Sequence, residues 1–276
     1  EELDEKVFEI VNQFDRGTAA IEAEAERELA AGLNLRAGQR AKTSGAYASA
    51  RGYLVAAHAL LGRHPGAHHH RRVFEIDLHL AECDIALGEH AAAQRRLQAL
   101  SQRAVDLPER SAAACLTVLL YFTTGRYEQA VEVALGFLSP VGVDWSLHPT
   151  EAEVRNEYEE MHRQLSVRAM EDLVKLPAMS DPTVIATMAV LTELFPAAYA
   201  VDRYLLELVL LRMANLSLRH GNHESSSVAY SALNMALGSH FSAYGTAYRL
   251  GQIACDLVDR RGMDRYKARV HCCFAA

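Results

Sequence analysis

At 276 residues, half of them hydrophobic and 23% charged, the chain has the composition of a globular protein and not of a disordered one. A formal charge of −7 and a pI near 6.0 argue against a nucleic-acid binder, which carries a basic face. Five cysteines, an odd number without framework spacing, suit free thiols in a reducing cytoplasm, and neither a signal peptide nor an apolar run of ~20 residues is read in the sequence.

Only seven prolines interrupt a chain rich in leucine and alanine, so helix is expected throughout. Leu3, Val7, Ile10, Val11 and Phe14 stand at helical spacing and predict a first helix closed by Asp15-Arg16-Gly17. A longer run from Thr18 to about Ser44 follows, with Glu22, Glu24, Glu26 and Glu28 as a solvated face. Then a phrase begins that recurs: Gly45-Ala46-Tyr47-Ala48-Ser49-Ala50, Gly88-Glu89-His90-Ala91-Ala92-Ala93 and Gly125-Arg126-Tyr127-Glu128-Gln129-Ala130. In each copy glycine ends a helix and turns the chain, the ring fills the elbow, and alanine lets the next helix lie close to its partner. The interval of about 40 residues is that of two-helix repeats.

Past Pro140 the rhythm breaks. Val141 to Leu147 is a loop holding Trp145, the single tryptophan. Thr150-Glu151-Ala152-Glu153 is a capping box, opening a polar helix. A short helix around Met170 to Lys175 precedes Pro177; Asp181-Pro182 caps the next helix, which Pro196 is expected to end. Asp202 to Arg219 reads as a strongly apolar helix, closed by His220-Gly221-Asn222. Weaker copies of the phrase follow at Gly221 to Ser226 and Ser242 to Ala247. No strand pattern of convincing length occurs, so the fold class expected is all-α. Starting without Met in Glu1-Glu2-Leu3 and ending in the apolar Val270 to Ala276, the chain reads as an excised piece of a longer protein.

The phrase, with bulky Leu54 at +9 and Ala57 at +12 in its first copy, resembles the tetratricopeptide repeat at its inter-helix turn and second helix. Four longer strings, Val7 to Gln13, Asn34 to Lys42, Leu176 to Pro182 and Asn215 to Asn222, resemble one family region. This is the helical-repeat region of large bacterial and fungal signalling proteins that fuse a serine/threonine kinase domain, a STAND-type AAA ATPase, a GAF domain and often a histidine kinase. The resemblance implies a right-handed α-α superhelix between an ATPase and an output module, and it transfers no catalytic residue. Its expected division is a linking helix over 1–17, tetratricopeptide-like repeats over 18–140, an irregular helical insert over 141–200 and further hairpins over 201–276.

No phosphate-binding Gly-x-x-x-x-Gly-Lys-Ser/Thr and no kinase signature is present, so no catalytic, cofactor or metal residue is assigned. His79 and Cys83 share a helix face and could hold zinc, but no second ligand pair has zinc spacing, and His68 to Arg72 read as a solvated loop. Cys272-Cys273 lacks redox spacing. Asn34 and Asn215, in apolar stretches, are expected to bond the backbones of neighbouring helices. Alignment on the turn glycines places Leu35, Gln39, Lys42, Glu75, Leu78, Glu82, Ile85, Cys115, Leu119 and Phe122 along a concave groove. The expected role is a non-catalytic, cytoplasmic scaffold that binds a protein, a peptide or flanking domains, with neither nucleic acid nor membrane as partner. The alternative is a sensor enclosing a small-molecule effector near Trp145 and the helix over 202–219.

Overall fold

A computed structural model describes residues 7–16, 23–61, 69–238 and 240–275, with the side chains of 12–16 left aside. The described residues form fourteen α-helices and three short 3-10 turns, with no strand. The chain divides into two compact units, residues 1–105 and 106–276.

The first unit holds α1 (Val7–Arg16), α2 (Glu24–Thr43), α3 (Tyr47–Leu61), α4 (His70–Ala86) and α5 (His90–Arg103). Consecutive helices pack on one another, and α2 also touches α4. Leu35, Ala41, Ala50, Leu54, Ala57, Ile76 and Leu80 form the core. Val7 and Val11 close a smaller cluster with Leu33 and Ala37, so the string beginning at Val7 packs on the string beginning at Asn34. The α2–α3 approach is close: a Cβ at Gly38 would lie 2.7 Å from Leu54 Cγ.

The recurring phrase is one repeated turn. The N–H of Gly45, Gly88 and Gly125 donates to the carbonyls of Lys42, Ile85 and Phe122. The following N–H donates to Ala41, Asp84 and Tyr121. This is the Schellman arrangement, and all three glycines have φ near +75°, between +72° and +78°. Ala50, Ala93 and Ala130 are fully buried. The elbow residue is less enclosed than expected: Tyr47 is half-buried, His90 exposed, and Tyr127 leans on Phe122 with ring centroids 5.5 Å apart. The fourth copy is a different turn, because Gly221 takes φ +96° and ψ 177°. In the fifth, Ser242 stands in the glycine's place at φ +52° and Ala247 is buried.

The second unit comprises α6 (Leu107–Thr123), α7 (Tyr127–Leu138), α8 (Glu151–Ser166), α9 (Pro182–Val201), α10 (Arg203–His220), α11 (Glu224–Ala232), α12 (Asn234–Leu237), α13 (Tyr244–Arg260) and α14 (Lys267–Ala275). The Thr150 and Glu153 side chains make the expected capping box, and Asp181 caps α9 through the N–H groups of Thr183 and Val184. Pro196 does not end α9, which continues to Val201. Thr187, Leu191, Leu194 and Ala198 are buried in a helix that packs on α6, α7 and α10, and that packing outweighs the ~3 kcal/mol of an internal proline. Run to its full length, α9 is long and apolar enough to cross a membrane, but most of it is core.

The second pair of strings also meets. Met179 N–H donates to the Asn222 carbonyl and Asn222 N–H to Pro177, at 2.9 and 2.8 Å. Asn222 Nδ2 donates to the Leu173 carbonyl at 2.7 Å, and Arg168 reaches the Leu218 carbonyl. Gly221 lies against this seam, where a Cβ would come within 2.2 Å of the Pro177 oxygen.

Candidate functional site

Four of the predicted groove residues converge on one histidine. Gln39 and Lys42, one turn apart on α2, face Glu75, His79 and Glu82, successive turns of α4. Gln39 Nε2 donates to Glu75 Oε1 at 3.0 Å and lies 3.0 Å from His79 Nε2. Lys42 Nζ lies 2.8 Å from His79 Nδ1 and pairs with Glu82. Burial alone would raise the Glu82 carboxyl, but hydrogen bonds from His79 and Lys42, with the lysine charge, hold it below the usual range. Each His79 ring nitrogen thus has an α2 side chain within 3.0 Å. Cys83 is fully buried, and that burial pushes its thiol up to about 11.

Beside this cluster lies an open cleft of about 680 Å³, lined among others by Leu29, Leu35, Arg36, Gln39, Arg72 and Glu75. Leu29, Leu33 and Leu35 supply its apolar lining, Leu29 being largely exposed, and Glu28, Arg36, Arg72 and Glu75 bring both signs of charge to it. Leu35 doubles as a core residue. Leu78 is half-buried on α4, and Ile85 is buried near its end. Cys115, Leu119 and Phe122 belong to α6 in the second unit, where all three are partly buried and Cys115 and Phe122 pack against the core. Burial raises the Cys115 thiol to about 12.

Trp145 is half-buried. The Arg212 guanidinium lies over the indole, 5.5 Å from the ring centroid, and pairs with Glu157. Asn215 meets its expectation, donating to the Glu157 carbonyl at 3.0 Å and to Glu157 Oε2 at 2.8 Å. Asn34 Nδ2 donates to Ala30 O, one turn back in its own helix, at 3.1 Å. His69 and His70 also depart from the loop reading, since His69 is buried and His70 begins α4.

Sequence reasoning missed an ionic ladder through the first unit. Asp84, fully buried, accepts from Arg51 Nε at 2.8 Å and Arg96 Nε at 3.4 Å. Asp77, nearly as buried, accepts from Arg96 Nη1 at 2.9 Å and Arg103 Nη2 at 3.2 Å, with His58 Nε2 at 3.5 Å. Three helices each contribute two members seven residues apart: Arg51 and His58, Asp77 and Asp84, Arg96 and Arg103. Seven residues is two helical turns, so each pair shares a face. That shared spacing was the available signal, hidden because Asp77 and Asp84 sit directly beside the apolar residues Ile76 and Ile85.

Against curated proteins, the chain is 22% identical over 281 residues to the hybrid signal transduction histidine kinase G of Dictyostelium discoideum. The match covers 92% of this chain and 8% of that protein's length. No family model matches, and no solved structure does. The chain is thus related, distantly and over nearly all its length, to a stretch of a signalling kinase.

Proposed function

We propose that the chain is a non-catalytic, tetratricopeptide-like interaction module of a multidomain signalling kinase or ATPase, acting in the cytoplasm. Its partner is a protein segment, from another protein or from a flanking domain, that docks along α2 and α4. The observation that carries this reading is the clustering of Gln39, Lys42, Glu75 and Glu82 around His79 beside a cleft of mixed apolar and charged lining. Paired helices presenting such a face suit a helix or an extended peptide: the apolar side chains supply area and the charged ones supply register. The three identical turns support a right-handed superhelix of hairpins, and the distant relation to a histidine kinase supports a signalling setting.

Selection of a random peptide library against the chain tests the reading. Peptides that bind should lose at least tenfold in affinity to Lys42→Glu and to Arg36→Glu, and not to Glu128→Arg on α7. Selected peptides that ignore both α2 variants would overturn the assignment. The chain is also expected not to hydrolyse ATP, since the sequence carries neither phosphate cradle nor magnesium-binding motif. Turnover abolished by a point change in this chain would refute that.

A further inference from the structure

The first unit holds a second cluster, on the opposite side of Glu75 from His79, that the interaction reading does not use. Glu24 and Glu28 are one turn apart at the start of α2, and His69 stands at the N-terminal cap of α4. The His69 ring makes no capping bond. Its side chain is nine-tenths buried, and its Nε2 lies 3.5 Å from Glu24 Oε1 and 3.5 Å from Glu28 Oε1. All three ligand atoms lie within 4.8 Å of one another.

We propose that Glu24, Glu28 and His69 form a site for a divalent transition-metal cation, zinc by preference. His69 Nε2 is equidistant from the two carboxylate oxygens. Two ligands 3.5 Å apart, on metal bonds of about 2.1 Å, subtend about 113° at the metal, close to the tetrahedral angle. One nitrogen and two carboxylate oxygens are a borderline donor set that suits zinc, and two carboxylates neutralise its charge. Calcium and magnesium, which take six or more oxygen ligands, fit it poorly. An open cavity of about 410 Å³, lined by Glu28, His69, Arg71, Arg72 and Glu75, adjoins two of the ligands, so solvent or a small anion can reach the ion and complete the shell. Because the ligands join α2 to α4, occupancy would brace the two helices that carry the cleft.

Zinc titration of the untagged full chain, in competition with a chromophoric chelator, tests the site. One zinc per chain is expected, with affinity at least tenfold weaker in Glu24→Gln, Glu28→Gln and His69→Ala and unchanged in His79→Ala. The two glutamate variants guard against misfolding, since both side chains are at the surface, and circular dichroism checks each fold. Cobalt(II) should give the visible bands of a four-coordinate site in the wild type and lose them in Glu28→Gln. Full-affinity binding by the Glu24→Gln/Glu28→Gln double variant, binding that follows His79 and Cys83 instead, or no saturable binding at all would overturn the proposal, the last leaving a cluster of ion pairs only.

Discussion

Gly221 and Gly88 look alike in the sequence and differ in what they bear. At Gly88 an added Cβ meets nothing within 4 Å, so Gly88→Ala costs only the left-handed backbone, about 1–2 kcal/mol. Gly221, at φ +96° and ψ 177°, occupies a region reserved for glycine and presses on the Pro177 carbonyl. Strain and overpacking together predict about 3 kcal/mol or more for Gly221→Ala. Urea melts giving equal losses for the two variants would show that the seam between the strings is not rigid. Glu82 makes a second prediction, through pH. Its folded pKa is depressed below the ordinary value of 4.5, so its contribution is present above pH 4.5 and lost as pH falls through the lower folded value. Acid unfolding of Glu82→Gln should therefore show a shallower loss of stability below pH 4.5 than the wild type. Superimposable acid limbs would mean that the Lys42 pairing adds nothing to folding.

At the scale of the helix, the copies of the phrase and the ionic ladder act together. Ala93, on α5, is fully buried where α4 packs, whereas Glu89 is exposed before the helix begins. Arginine at 93 must overpack that contact, at about 1–3 kcal/mol, or bury an unpaired charge at higher cost. Glu89→Arg should stay within about 0.5 kcal/mol. Equal urea midpoints would show that the alanine is not the packing device. Arg96 bonds both buried aspartates, so Arg96→Met takes one partner from each and should cost about 2 kcal/mol, against about 1 kcal/mol for Arg51→Met, which takes one partner from Asp84 alone. Turns and caps were legible in the sequence because Gly, Thr150 and Asp181-Pro182 act on their own backbone within three residues. Pro196 was misread because whether a proline ends a helix depends on neighbours far along the chain. The Gln39, Lys42, Glu75 and Glu82 grouping was legible from repeat alignment, which conveys helix faces. His79 as its centre, and the ladder behind α4, required the side chains of three helices at once.

For the whole molecule the question is how far stability is shared. In a stacked array each hairpin stabilises its neighbours, and damage in one place spreads along the chain. Among the described residues, each buried cluster lies within one unit. Leu35, Leu54, Ile76 and Leu80 belong to one within the first unit, and every buried member of the largest, from Val118 to Cys273, belongs to the second. The ionic ladder lies wholly within residues 51–103, and the seam of Pro177, Gly221 and Asn222 wholly within the second unit. Separate cores with separate polar networks predict unfolding that is not two-state. Calorimetry should resolve two transitions, one lowered by Arg96→Met and the other by Gly221→Ala. Changes of about 2 and 3 kcal/mol should each move their own transition by roughly 6–15 °C, given the entropy of unfolding of units of this size. The other transition should stay in place. A single transition lowered by either substitution would instead mean one cooperative array, as the repeat reading in its simplest form requires, and would show that the two cores melt as one.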